Sequence, residues 1–175
     1  MTTYQGKCHC GQVEWTTKID AEGHILWYSP SDENPPFRPH PLLPQHPSTS
    51  SPKATRADTI SAFPPSHSHC NTCKLLGGCE NTLNQMANEG DLKITKGSTK
   101  TYTYYGDSGK PVNCYYCPNC TSHIYHHQTV LGPKIVVRTG LLQGTADFPV
   151  AAEIFGKDRL HWQPELGHTF AAGPE

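Results

Sequence analysis

The sequence predicts a mainly β protein of small antiparallel sheets pinned by zinc, with a long disordered insertion. Short runs of alternating or β-branched residues are separated by turn residues, with 15 glycines and 16 prolines among 175 residues, which is typical of short strands. Two close cysteine pairs lie near opposite ends of the chain. Ten of the prolines lie between Pro30 and Pro65, where few apolar residues offset the entropy of ordering.

The length and the net charge of the chain limit how many domains it can form and which partners it can attract. We expect a single zinc domain over residues 1–166, interrupted by an insertion at 29–66 and followed by a loose tail at 167–175. A net charge of −1 gives no long-range field for nucleic acid or an anionic membrane. The chain has no membrane-length apolar run and no apolar signal core at its start. We therefore expect a cytoplasmic protein, in which eight cysteines indicate metal binding more than disulfides.

The first elements surround the insertion. Gln12 to Thr17 alternate in polarity and predict a half-buried strand, and Ile25 to Tyr28 predict a second, shorter one. The stretch Ser29 to Ser66 is interpreted as mobile, because proline removes backbone donors and blocks both helix and central strand. The alternative is a proline-rich ligand for a partner domain.

The second half of the chain predicts a helical turn and a series of strands. Cys73 to Gly78 indicate a short helix that ends at glycine. Gly106 to Gly109 indicate a hairpin turn between two strands. The predicted strands are Leu92–Thr95, Thr99–Tyr105, Pro111–Tyr116, Ser122–His127, Lys134–Thr139 and Ala151–Phe155.

The strongest site signal is a set of four cysteines. Cys117 and Cys120 form a Cys-x-x-Cys pair, and Cys8 and Cys10 form a Cys-x-Cys pair. Neither pair completes a tetrahedral thiolate site alone, but together they supply the four sulfurs of a structural zinc. The two ends of the chain must then meet at this ion.

A second pair, Cys70 and Cys73, is the candidate for chemistry. Two thiolates do not complete a zinc shell, and a catalytic zinc keeps one position open, so a third protein ligand is expected. Ser68 stands where a cysteine would repeat the Cys-x-Cys spacing, although a neutral hydroxyl is a poor zinc ligand. The other candidates are His67, His69 and Cys114. The alternative is that Cys70 and Cys73 are reduced, half-buried thiols without a metal.

Structural roles are expected for the remaining distinctive side chains. Cys79 is interpreted as a small core residue, and Cys114 as either core or a support for the second site. His126 and His127 end a strand, so they face opposite sides and are read as a solvated pair. Strand packing is expected of Tyr102, Tyr104 and Tyr105.

Three ordered cysteine motifs resemble those of a known family. They are GKCHCGQV at 6–13, SHCNTCK at 68–74 and YCPNC at 116–120. With Pro149, Ile154, Phe155 and Trp162, they resemble the glutathione-dependent formaldehyde-activating enzymes, a family that includes centromere protein V. The resemblance covers nearly all of the chain except 29–66.

The resemblance implies a β-tent-like fold and two zinc ions. A structural zinc is implied at Cys8, Cys10, Cys117 and Cys120. A second, catalytic zinc that binds the glutathione thiol is implied at Cys70 and Cys73, with Ser68 at the first ligand position. The implied activity is that of a zinc-dependent carbon–sulfur lyase, similar to S-(hydroxymethyl)glutathione synthase, which adds glutathione to formaldehyde or a related electrophile, or reverses that step. The candidates for a contact with a glutathione carboxylate are Lys74 and Lys110.

The chain departs from the family pattern in three ways. Ser68 replaces a ligand cysteine, Cys114 stands where the family often has a basic residue, and the insertion separates motifs that normally lie close together. One hypothesis is that residues 27–68 arise from an unspliced intron, in which case splicing would restore Cys-His-Cys. The alternative function is a non-catalytic zinc module that binds a protein partner, with an impaired second site. The substrate and the oligomeric state stay open.

Overall fold

Two β-sheets make up the described part of the molecule. The computed structural model describes residues 2–19, 66–68 (backbone only), 70–105, 108–150 and 152–171. A three-stranded antiparallel sheet has the order β1-β2-β5, and a larger sheet has the order β11-β10-β3-β4-β9-β8-β7-β6. The strands are β1 Thr2–Lys7, β2 Glu14–Ile19, β3 Ser66–Ser68, β4 Thr82–Asn88, β5 Leu92–Lys96, β6 Lys100–Tyr105, β7 Pro111–Tyr116, β8 His123–Gln128, β9 Lys134–Arg138, β10 Ala152–Ile154 and β11 His168–Thr169.

The mainly β, antiparallel class that the sequence predicts is confirmed. In the large sheet, β3, β4 and β6 to β9 pair antiparallel with one another, and only β10 pairs parallel, with β3 on one side and β11 on the other. The predicted hairpin is present as the β6–β7 ladder, although residues 106 and 107 of its turn lie outside the described residues. The predicted strand Ile25–Tyr28 and the insertion, except its last residue, also lie outside them.

Four strands differ from the sequence expectations. β1, β3 and β4 have no predicted counterpart, because their polar residues hide the period-two pattern. The prediction of a loose tail from Gly167 is wrong in part. His168 and Thr169 form β11, and the N–H of Phe170 bonds to the carbonyl of Glu153 at 2.7 Å.

The main hydrophobic core lies against the three-stranded sheet. Trp15 of β2 is 1% exposed and packs with Val137 of β9 and with Cys8 and Cys117. Its indole lies directly over Gly6, its partner across the β1–β2 ladder, where a Cβ would collide with the ring. The absence of a side chain at Gly6 therefore allows the largest core residue to pack.

The helix α1, Asn71–Gly77, is short and docks on a second apolar cluster. That cluster consists of Cys70, Cys73, Ile154 and Phe155, with Phe170 packed against it. Gly78 ends the helix in the left-handed conformation at φ 60°, and its N–H bonds to the carbonyl of Lys74. The predicted short helix that stops at glycine is thus confirmed.

The described residues contain no candidate membrane-spanning helix. None of their helices combines the length and the apolar character that a bilayer crossing requires.

Candidate metal centre and the second cysteine site

The four cysteines from the two ends of the chain converge. The sulfurs of Cys8, Cys10, Cys117 and Cys120 all lie within 4.8 Å of one another. The Cys8–Cys10 and Cys10–Cys117 sulfurs are 3.6 and 3.7 Å apart. Four sulfurs at about 2.3 Å from a tetrahedral ion would be about 3.8 Å apart. The predicted convergence is therefore confirmed, and the donor set and its spacing fit Zn²⁺.

Two tight loops create this geometry. After β1, the N–H of Gly11 bonds to the carbonyl of Cys8, and the N–H of Cys8 bonds to that of Val13, which closes the first loop. After β7, the N–H of Thr121 bonds to the carbonyl of Cys117 and closes the second. Each loop presents its two sulfurs on one side.

Hydrogen bonds reach several of these sulfurs, and at Cys10 and Cys120 they favour the thiolate form that a metal needs. The Val13 N–H donates to Cys8 Sγ at 3.2 Å. The hydroxyl and the backbone N–H of Ser122 hydrogen-bond to Cys120 and lower its pKa to about 5. The pKa of Cys10 is also lowered, chiefly by the Asn119 side chain. Stabilised thiolates are the metal-binding form of cysteine.

Cys70 and Cys73 lie together in the second apolar cluster, separate from the four-cysteine cluster. Cys70 precedes α1, Cys73 lies in its first turn, and the two are 7% and 5% exposed. The two thiols lie close enough to change each other's pKa, and the Arg138 guanidinium and the Thr82 hydroxyl both act on the pKa of Cys73. The interaction with Cys70 and then the charge of Arg138 lower the pKa of Cys73, and the same thiol pair raises the pKa of Cys70.

The described residues bring only two donors together at this second site. Among them, the four-cysteine cluster is the one group of three or more cysteine, histidine or carboxylate side chains close enough to share an ion. The side chains of His67 and Ser68, and the whole of His69, lie outside the described residues. The role of Ser68 therefore stays a prediction.

Cys114 faces the second site from β7. It is 4% exposed, and burial and then the nearby charge of Cys73 raise its pKa to about 12. Cys79, by contrast, is exposed in the turn after α1. The expectation that Cys79 is a core residue was therefore wrong.

The expectation for His126 was wrong. His126 is 3% exposed and pairs across the β7–β8 ladder with Cys114, so both side chains project from the same face. Burial, and then the Arg138 charge, hold the pKa of His126 well below its usual value. His127 is half-buried, and its Nε2 lies 2.7 Å from the carbonyl oxygen of Gly132. The strand places the two rings on opposite faces as predicted, but they are not a solvated pair.

The tyrosine group packs less than expected. Only Tyr104 is partly buried, and that burial, with the charge of Cys73, raises its pKa. Tyr102 and Tyr105 are 51% and 70% exposed on the edge strand β6. Lys74, a candidate for a glutathione carboxylate, bonds instead through Nζ to the carbonyl oxygen of Asp158 at 2.7 Å.

Sequence reasoning missed Arg138. This residue ends β9 at 7% exposure, and its guanidinium donates to Asn84 Oδ1 at 2.9 Å and to His123 Nδ1 at 3.3 Å. Burial, and then the Arg138 charge, lower the pKa of His123 to about 3. A cation at the end of the apolar run Ile135–Val137 was the available signal, because a charge on a buried strand needs a partner.

Comparison with known proteins places this arrangement in a family. The family model for the glutathione-dependent formaldehyde-activating enzyme matches residues 56–158, which is more than half of the chain. The chain belongs to this family. The match contains Cys70, Cys73, Cys117 and Cys120 but not Cys8 and Cys10, which the fold brings to the same point.

Other comparisons add little to the family assignment. A structural-genomics crystal structure of a Rhodobacter sphaeroides protein matches at 15% identity, over 82% of this chain and 91% of that chain, with a TM-score of 0.47. No functional conclusion is taken from this likeness. None of the curated proteins compared with the chain matches it. The family match begins at residue 56, inside the stretch that the sequence predicts to be an insertion.

Proposed function

We propose that this protein forms and breaks a carbon–sulfur bond between a small thiol, glutathione or a relative of it, and an aldehyde. The observation that carries the proposal is the family match across Cys70 and Cys73, taken with the burial of these two thiols against Arg138. Formaldehyde is the electrophile that the family description names. A related aldehyde is equally compatible with the described residues.

The reaction is an addition that balances without another reactant. The sulfur of the thiol bonds to the carbonyl carbon, the carbon–oxygen π bond breaks, and the thiol proton ends on the oxygen. With formaldehyde the product is an S-hydroxymethyl thioether. The reverse step returns the thiol and the aldehyde, which is carbon–sulfur lyase chemistry.

The two cysteine sites would contribute differently. Cys8, Cys10, Cys117 and Cys120 would hold a structural zinc, because they fill all four positions. Cys70 and Cys73 supply only two of the donor atoms that a second zinc ion would need. A zinc ion there would stabilise the thiolate of a bound cosubstrate. The chain's own side chains keep the site nearly free of water, since Cys70, Cys73 and Arg138 are each at most 7% exposed.

One contact favours the alternative of a non-catalytic zinc module. The charge of the Arg138 guanidinium acts on Cys73, where a catalytic zinc would have to bind, and two neighbouring cations repel each other. In this alternative the chain carries one zinc ion and needs no thiol ligand. Its function would then be to bind a protein partner.

Zinc stoichiometry and turnover distinguish the two functions. Native mass spectrometry with and without glutathione counts the ions, and NMR exchange with ¹³C-formaldehyde and glutathione measures formation of the adduct. The enzyme predicts two zinc ions, and adduct exchange that Cys73→Ala abolishes while Cys79→Ala preserves it. One zinc and no protein-dependent exchange would refute the proposal and leave the interaction module.

A further inference from the structure

The strand β6, Lys100–Tyr105, forms one edge of the large sheet. It pairs with β7 on one side and with no described strand on the other. In an antiparallel ladder the backbone groups of successive residues point to alternate sides, so about half of the N–H and C=O groups of β6 face away from β7. The side chains are open as well, because five of the six residues are exposed and only Tyr104 is intermediate. β6 therefore presents a free pairing edge.

The other edges of the described sheets are short, covered or charged, as exposed edges usually are. β11 is only two residues long. Beside β1, the N–H of Gln143 bonds to the carbonyl of Gln5 at 2.8 Å. The edge strand β5 carries Lys93 and Lys96. β6 has none of these protections: it has six residues, no proline, an unbroken ladder with β7 and a single charge, Lys100, at its start.

The residues of β6 are complementary to a second copy of the same strand in the antiparallel direction. With a two-fold axis at Thr103, Tyr102 of each copy lies opposite Tyr104 of the other. In the same register Thr101 lies opposite Tyr105. Aromatic pairs and aromatic–β-branched pairs stabilise neighbouring strands. Tyr102 and Tyr104 already stack along one face, with ring centroids 6.3 Å apart, so the two copies would bring four rings together.

Charge favours the antiparallel direction over the parallel one. In an antiparallel pair the two Lys100 side chains lie at opposite ends, whereas in a parallel pair they would lie side by side and repel each other. The net charge of −1 adds little repulsion between whole copies. Pairing of one six-residue edge is a small contact beside the about 1,200–2,000 Å² of stable interfaces, so the dimer should be reversible and should form at high protein concentration.

We propose that two copies of this chain pair through β6 and join their large sheets across a two-fold axis at Thr103. Tyr102 pairs with Cys114 across the β6–β7 ladder, so the face that the tyrosine rings cover is the face from which Cys114 projects. The second copy would therefore lie beside the second cysteine site. The inference goes beyond the proposed function and does not depend on it.

Two measurements on the zinc-loaded full chain test the dimer and its location. Sedimentation equilibrium should show a monomer–dimer equilibrium at concentrations up to about 1 mM. Hydrogen exchange followed by mass spectrometry should show slower exchange of the Lys100–Tyr105 amides as the concentration rises, because pairing protects the outward N–H groups. The Leu92–Lys96 amides of the charged edge β5 are the internal control and should exchange at the same rate throughout.

Charged variants at the axis assign the dimer to β6. Thr103 is exposed, and its hydroxyl bonds only to the Asn113 side chain, so substitution there should leave the fold intact. Thr103→Lys and Thr103→Glu each place like charges opposite each other and should weaken self-association about 5-fold or more. An equal mixture of the two variants should form a heterodimer more tightly than either variant pairs with itself. Thr95→Lys, exposed on β5, adds the same charge elsewhere and should dimerise like the unmodified chain.

Every outcome bears on the proposal, since circular dichroism and zinc content identify any variant that fails to fold. A chain that stays monomeric at about 1 mM overturns it. A dimer that folded Thr103→Lys retains at full affinity, or a mixture of the charged variants without preference for the heterodimer, shows pairing through another surface and also overturns it. Concentration-dependent protection of Lys100–Tyr105 together with the heterodimer preference supports it, whatever the zinc stoichiometry and the adduct exchange show.

Discussion

The backbone N–H of His9 donates a hydrogen bond of 3.1 Å to the Oγ of Ser122, which is 113 residues away. The same Oγ lies 3.3 Å from the Cys120 sulfur. In the thiolate form of Cys120 the sulfur has no proton and can only accept, so the hydroxyl donates its proton to it. Ser122 therefore links the two loops of the four-cysteine cluster without being a ligand itself. Residues that hydrogen-bond to the ligands commonly support metal sites in this way.

Ser122→Ala should weaken zinc binding without abolishing the fold. It removes the bond to His9 and the hydroxyl that stabilises the Cys120 thiolate. Loss of such a supporting contact typically lowers metal affinity about 10- to 100-fold. Competition with a chromophoric chelator measures the change. Ser98→Ala, on the exposed turn before β6, is the matched control, and equal affinities of the two variants would contradict the role of Ser122.

Metal removal should unfold the described domain as a whole. The four sulfurs connect β1 to the loop between β7 and β8, and Cys8 and Cys117 also lie in the main core, so metal binding and folding are coupled. A chelator titration followed by far-ultraviolet circular dichroism and tryptophan fluorescence should give one cooperative transition, which added Zn²⁺ reverses. Cys117→Ala should reproduce the loss and Cys79→Ala should not. A chelated chain with unchanged spectra would refute a structural ion.

The sequence predicted the four-cysteine cluster because cysteine spacing is a local signal with few structural meanings. Cys117-x-x-Cys120 places two thiols on one turn, and only one other close pair, Cys8 and Cys10, could complete the shell without using Cys70 and Cys73. The strands β5 to β9 were likewise predicted, because each contains β-branched or aromatic residues between turn signals. Cysteine spacing and local residue preferences can be recognised without knowing which other segments pack against these residues.

The surroundings of the second site could not be predicted for the opposite reason. Arg138, Asn84 and His123 lie on three different strands, and their meeting depends on the order β4-β9-β8, which no local pattern encodes. A shift in register between Tyr115 and Tyr116 also changes which β8 residues share a face, since His123 pairs with Tyr116 while Tyr125 pairs with Tyr115. Simple alternation along β8 therefore assigns His123 and His126 to opposite faces, although both rings lie close to each other.

Gly6→Ala should destabilise the three-stranded sheet. A Cβ at Gly6 would collide with the indole of Trp15, which is 1% exposed in the main core. Overfilling a packed core costs about 1–3 kcal/mol in the free energy of unfolding. Urea denaturation of the zinc-loaded protein measures the change. Gly90→Ala, where a Cβ meets nothing within 4 Å, should stay within about 0.5 kcal/mol of the unmodified chain, and equal effects of the two substitutions would contradict the packing argument.

Acidification should destabilise the fold partly through His126. Its pKa in the folded state is well below 6.5, because burial and the charge of Arg138 oppose protonation. The unfolded chain therefore binds more protons below about pH 6.5, and the free energy of unfolding falls as the pH falls. Between pH 7 and pH 5 a single such histidine removes about 2 kcal/mol. His123, with a pKa of about 3 for the same two reasons, should act in the same direction.

The contribution of His126 is separable from the loss of metal at low pH. Urea denaturation with excess Zn²⁺ at pH 7 and at pH 5 gives the fall in stability for the unmodified chain and for His126→Gln. Protonation of the metal-binding thiols affects both proteins equally, so it cancels in the comparison. The variant should lose about 2 kcal/mol less than the unmodified chain over this interval. An identical fall in both proteins would show that His126 is protonated to the same extent in the folded and unfolded states, contrary to its burial beside Arg138.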